Sequence, residues 1–168
     1  MRRDHVRDLL AHVADGSLEV ARAVELLSFE PVETLPFATI DHHRPLRQGF
    51  PEVIYGAGKT AEQIGEIALR IAAHGDAVLA TRLSDDAAEH LRTLIPEIEL
   101  NRTARTAHLR GATAPPRGTG TVAIVTAGTS DLPVAEEAAV TLDALGDCVA
   151  RVTDVGVAGI HRVLAKRE

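Results

Sequence analysis

The apolar positions change period along the chain. Val6, Leu9, Leu10 and Val13 recur at helical spacing until Asp15-Gly16-Ser17 breaks the pattern. Ser17 then reads as the N-cap of a second helix carrying Val20, Ala23, Val24 and Leu27. Residues 1–30 are thus expected to form a helical hairpin. Phe29 to Pro36 holds two prolines and reads as an extended connector. Strand and helix alternate from there. Short strands are expected at Phe37–Ile40 and Glu52–Tyr55, a buried one at Ala77–Thr81, and weaker ones at Ile98–Leu100 and Thr106–Leu109. Between them, Ala61–Ala73 carries Ile64, Ile67, Ala68 and Ile71 on one stripe, and Asp85–Leu94 follows a Ser84 cap.

Residues 37–110 therefore read as a small α/β domain. Residues 111–120, GATAPPRGTG, have no hydrophobic period and read as a linker. Beyond it the pattern predicts a strand at Thr121–Thr126, a helix from Pro133 to Leu145, a strand at Val149–Val155 and a helix from Gly159 to Lys166. The whole is an α/β chain. It has an N-terminal helical hairpin, a small α/β domain, and then, over 121–168, the first strand–helix–strand unit of a flavodoxin-like three-layer parallel sheet. Two strands are few for such a sheet. Either the earlier half donates strands to it, or the sheet continues in sequence beyond Glu168; the second is the expectation.

Composition narrows the function. With three Phe, one Tyr and no Trp in 168 residues, the core must be aliphatic, and base-stacking platforms are excluded. A net charge of −6 argues against a general grip on nucleic acid, while leaving room for a local Arg/Lys cluster around a small anion. No apolar run approaches ~18 residues, so no membrane span is expected, and the cytoplasm is the expected location. The single cysteine, Cys148, has no partner for an internal disulfide and reads as a small buried hydrophobe.

Three clusters carry candidate chemistry. In the first, Asp41 to Thr60, the ending Gly58-Lys59-Thr60 suggests a phosphate loop, but Val53 stands where that loop needs glycine. What survives is a Gly56-Ala57-Gly58 turn between a strand and a helix, with Lys59 beside backbone N–H groups that suit a phosphate or carboxylate; an ordinary tight turn explains it too. Arg44 and Arg47 could clamp an anion, or pair with Asp41 or Glu52, and Glu52 is a further candidate contact. His42 and His43 are adjacent and point apart, and no second ligand pair stands at metal spacing, so no metal site is expected. The second cluster, Ala127 to Asp131, and the third, Asp154 to Arg162, each follow a strand. In a parallel sheet both emerge on one edge, placing Thr129, Ser130, Asp131, His161 and Arg162 around a common crevice. Helix capping explains Ser130 and Asp131 equally well.

Together with Ala80-Thr81-Arg82, these clusters resemble the LarB family, the pyridinium-3,5-biscarboxylic acid mononucleotide synthases of nickel-pincer nucleotide assembly for lactate racemase. The C-terminal part is similar to the aminoimidazole ribonucleotide carboxylases and mutases of purine synthesis. Their glycine–serine–serine/asparagine–aspartate turn falls on Gly128 to Asp131, and their serine–alanine–histidine–arginine turn on Gly159 to Arg162. Gly159 replaces the serine of the purine enzymes, which favours the pyridine enzyme. The resemblance implies carboxylation of the pyridinium ring of nicotinic acid adenine dinucleotide, with hydrolysis of its phosphoanhydride and release of AMP. CO2 or bicarbonate is the co-substrate, Mg2+ is admissible, and no cofactor is tightly bound. Asp131 and His161 take the catalytic positions, with Arg44, Arg47, Glu52, Gly56, Gly58, Lys59, Thr129, Ser130 and Arg162 binding the dinucleotide. It further implies a homo-oligomer, octameric in the complete family fold, and a cysteine nucleophile in a later segment that Cys148 does not replace. The chain therefore reads as C-terminally truncated and is expected to be inactive alone.

Overall fold

The computed structural model describes residues 3–27, 32–112, 118–156 and 159–165. Parts of four expected elements lie outside the described residues: Phe29 to Pro31 of the connector, 113–117 of the linker, Val157 and Ala158 of the third cluster, and Lys166 of the last helix.

Helices α1 (Arg3–Ala14) and α2 (Val20–Leu27) form the expected hairpin, with Leu9 and Ala23 buried. Ser17 does not cap α2. Its N–H donates to Asp15 Oδ1 (2.9 Å) and its hydroxyl to the His12 carbonyl (3.3 Å), so it closes the end of α1. The Ala23 N–H donates to the Glu19 carbonyl, two residues beyond Ser17.

The connector is not wholly irregular. Between Pro31 and Pro36, β1 (Val32–Thr34) pairs antiparallel with β2 (Thr39–Asp41), Glu33 opposite Ile40. The prolines flank this strand without interrupting its ladder, where each would remove a donor. A short helix that the pattern does not announce, α3 (Arg44–Gln48), follows. Pro45 fits its first turn, where no N–H partner is needed, and Gly49 ends it at φ 85°.

The main core lies between residues 35 and 107. A four-stranded sheet has the order β3-β4-β6-β5, from β3 (Val53–Tyr55), β4 (Val78–Thr81), β5 (Glu99–Asn101) and β6 (Thr106–Leu109). β3 and β4 are parallel, while β6 runs antiparallel to both β4 and β5. Helices α4 (Ala61–Ala73) and α5 (Asp85–Leu94) pack on one another and on this sheet. α5 starts at the expected Ser84 cap, and Thr60 caps α4. Ile64, Ile67 and Ile71 of α4 are buried against Val78, Ala80 and Leu91. Burying each such isoleucine contributes roughly 1.5–3 kcal/mol, which fixes α4 over the sheet.

A separate two-stranded parallel pair, β7 (Thr121–Val125) and β8 (Cys148–Val152), is joined through α6 (Leu132–Leu145) and followed by α7 (Ile160–Leu164). Its register runs from Thr121 opposite Cys148 to Val125 opposite Val152. The earlier sheet donates no strand to this pair among the described residues. α6 touches both units, meeting β7 and β8 on one side and β4 and β6 on the other. None of the described helices is long and apolar enough to cross a membrane.

Candidate functional site

Parallel pairing carries the ends of β7 and β8 to one edge, as the pattern requires. The Thr126 N–H donates to the Val152 carbonyl (2.9 Å), and the Val155 N–H returns to the Thr126 carbonyl (3.0 Å). The second and third clusters therefore touch. A Cβ on Gly156 would stand 2.7 Å from the Ala127 carbonyl oxygen, so only glycine allows the approach. Asp131 Oδ2 accepts from the Ala127 and Gly128 N–H groups, each at 3.1 Å. This carboxylate holds its own turn, the capping role left open above. Thr129, Ser130, Asp131, His161 and Arg162 are all exposed. Arg162 pairs with Asp154 at 3.1 Å, and the His161 ring folds back over Gly159, where a Cβ would collide with it. Beneath them, Thr126 Oγ1 is buried without a hydrogen-bond partner among the described residues.

The Asp41–Thr60 block satisfies most of its own charges. Asp41 pairs with Arg47 and accepts the His43 N–H at 3.1 Å, and its own N–H donates to Glu52 Oε2 at 2.7 Å. Arg47 and Glu52 thus tie α3, β2 and β3 together. Arg44 lies over the Phe50 ring at 5.5 Å, and its Nε is buried without a hydrogen-bond partner among the described residues. Burial pushes the His43 imidazole below its ordinary range, with Asp41 opposing. At the far end, Lys59 Nζ donates to the Tyr55 carbonyl at 2.9 Å. Gly58 adopts φ 82°, which favours glycine, and a Cβ on Gly56 would lie 2.8 Å from the Thr81 carbonyl oxygen. These two glycines therefore answer to the turn and to strand packing. The start of α4 is closed by a capping box, Thr60 Oγ1 accepting from the Gln63 N–H and Gln63 Oε1 from the Thr60 N–H. Glu62 is held below the usual carboxylate range by its own backbone N–H and by Thr60. The capping box thus satisfies the Thr60 and Gln63 N–H groups at the helix start where an anion was expected.

Arg82 carries part of the family resemblance, but the sequence assigns it no role. It follows β4 at the same edge as the end of β3, in a left-handed backbone conformation at φ 55°. Its guanidinium meets Glu137 of α6 at 2.6 and 2.8 Å, which raises its pKa further. The pair joins residues 55 positions apart, and no local pattern announces it.

Residues 32–111 match the LarB/PurE-like N-terminal domain. Over that segment, just under half of its length, the chain is similar to the LarB family. The matched segment coincides with the main core. The chain is also 34% identical over 167 residues, 95% of its length, to an uncharacterized protein of Methanocaldococcus jannaschii, and it spans 64% of that relative's length.

A cleft of about 620 Å³ opens between the LarB domain and the β7–α6–β8 unit. It is lined by residues 99–101, 106, 108, 110 and 111 on one side and by 140–148 in part on the other, and none of the expected site residues reaches it. Burial pushes His108 in its wall below the ordinary imidazole range. Cys148 also lines it and is exposed, not buried. It is the first residue of β8.

The LarB domain also gathers Glu33, His42 and His74. One ligand atom from each lies within 4.8 Å of the others, although 32 positions separate the two histidines. Spacing along the sequence gives no sign of this meeting. It depends on β1, which the proline-rich connector conceals, and on the C-terminus of α4.

Proposed function

We propose that this chain supplies the N-terminal domain and first strand–helix–strand unit of an enzyme that carboxylates the pyridinium ring of nicotinic acid adenine dinucleotide and hydrolyses its phosphoanhydride, releasing AMP. The observation that carries the reading is the contact of the two glycine-bordered turns at the carboxyl edge of β7 and β8, in a chain that also holds the LarB domain. Ligands of open α/β sheets bind at that edge. The exposed Ser130, His161 and Arg162 offer donors to carboxylate and phosphate groups, and the unpartnered Thr126 hydroxyl lies below them.

A pyridinium carbon is electron-poor and does not attack CO2 unaided. A thiolate adding to a neighbouring ring carbon makes the ring an enamine, which attacks; a base then removes the ring proton and the thiolate leaves. Cys148 opens β8, four residues before its last position, so it lies about 13 Å or more from the turns. This supports binding without turnover by the chain as it stands. Calorimetry with nicotinic acid adenine dinucleotide should therefore give saturable binding, and Arg162→Ala should weaken it at least about tenfold. Incubation with labelled bicarbonate should give neither AMP nor labelled pyridine product. No detectable dinucleotide binding would refute the reading, and preferential binding of aminoimidazole ribonucleotide would transfer it to purine chemistry.

A further inference from the structure

We propose that Glu33, His42 and His74 form a binding site for a transition-metal ion, with Zn2+ as its natural occupant. Two imidazoles and one carboxylate are a donor set that zinc takes, whereas Mg2+ prefers oxygen ligands. Each donor is already oriented by a further contact. His74 Nδ1 lies 2.8 Å from the Arg70 carbonyl, which can only accept, so Nδ1 carries the proton and Nε2 the lone pair of the neutral ring. A ligating histidine is typically held this way, by its other ring N–H on a backbone carbonyl. Glu33 is held through Oε1 by Arg70 Nη1 at 3.1 Å, which turns Oε2 toward His42 Nε2 at 3.0 Å.

His42 is buried and its ring lies against that of His74, centroids 3.9 Å apart and planes tilted by 37°. Donors around a tetrahedral zinc stand about 3.3 Å apart, given bonds of about 2.0–2.1 Å. The Glu33–His42 pair already meets that spacing. The wider separations within the group, all within 4.8 Å, close as the ion draws the three donors together. The Arg70 guanidinium opposes a cation here, but it also faces Glu66 at 3.5 Å, so the surroundings carry two carboxylates against one guanidinium. Without metal, the Glu33 carboxylate accepts from His42 Nε2–H; on binding, the ion takes that place at Nε2 and the proton moves to Nδ1 of the same ring.

The site would fasten the β1–β2 hairpin to the end of α4, remote from the turns at the edge of β7 and β8. It stands apart from the dinucleotide reading. The test titrates the full chain with Zn2+ by calorimetry and with Co2+ by visible absorption, using Mg2+ as comparison. Expected are one equivalent of Zn2+, a cobalt d–d band saturating at the same ratio, a rise in thermal midpoint with Zn2+, and none of these with Mg2+. His74→Ala, at an exposed position, should keep the metal-free circular dichroism spectrum and lose the band. Glu33→Gln should weaken Zn2+ binding at least about tenfold. Absence of one-to-one binding, or binding undiminished in His74→Ala, overturns the proposal.

Discussion

His108 faces the cleft from β6, with Glu99, Arg110 and Asp143 near its ring. Burial is the main influence, and it holds the folded-state imidazole below its ordinary value of 6.5. The unfolded chain therefore binds the proton first as pH falls. Stability from this group is present above 6.5, declines below it, and is fully lost once pH has passed the lower folded value. His43 is displaced the same way, so both histidines contribute to one acid-side loss. Thermal melts from about pH 7.5 down to about pH 5 should show a falling midpoint, and His108→Gln should flatten that fall. An unchanged slope in the variant would remove His108 from the account. At this scale the sequence misplaced Cys148, expected to be a small buried hydrophobe but exposed at the start of β8, because burial depends on where the strand emerges and not on its neighbours in the chain.

At the scale of elements, local chemistry decides how legible a segment is. α4 and α5 fall on the expected bounds because each has a capping side chain, an apolar stripe and no internal proline. The expected strand at Thr106–Leu109 also matches, although only Thr106 favours a strand; burial in the sheet centre between β4 and β5 decides it. β1 and α3 were hidden for one shared reason. Each is five residues or fewer and lies beside or includes a proline, so neither develops a full hydrophobic period. Capping should be measurable directly. Thr60→Ala removes the oxygen that accepts from the Gln63 N–H, and it should cost about 1 kcal/mol in urea unfolding. Thr60→Ser should recover most of it. If both variants lose equally, the hydroxyl is not what stabilises the start of α4.

For the whole molecule, the two units are unequally finished. The LarB domain has a continuous buried core, whereas Ala139 and Val155 are the buried apolar residues described for the β7–α6–β8 unit. Val125, Val134 and Ile160 are 61%, 60% and 77% exposed, leaving apolar surface around a two-stranded pair that is marginal alone. Arg82–Glu137 bridges the units, but solvent screens a pair exposed on its arginine side and it holds them only weakly. Self-association through the β7–β8 unit is the expected remedy. Light scattering after gel filtration should show species heavier than the 17.9 kDa chain, and Val125→Lys should shift them toward it. A stable monomer at micromolar concentration would contradict this. The sequence showed the shortage of strands, because counting strands needs no geometry. It could not show Glu33, His42 and His74 meeting, or Arg82 reaching α6, because those depend on how distant segments pack.

Gly156 against Ala127 leaves the two loops at that edge with no slack between them. A reporter dye carried on Ser130 would therefore sense a displacement of Gly156 even where the dye and that residue share no atom. Equally, one extra methyl group at position 156 would pry both loops open at once.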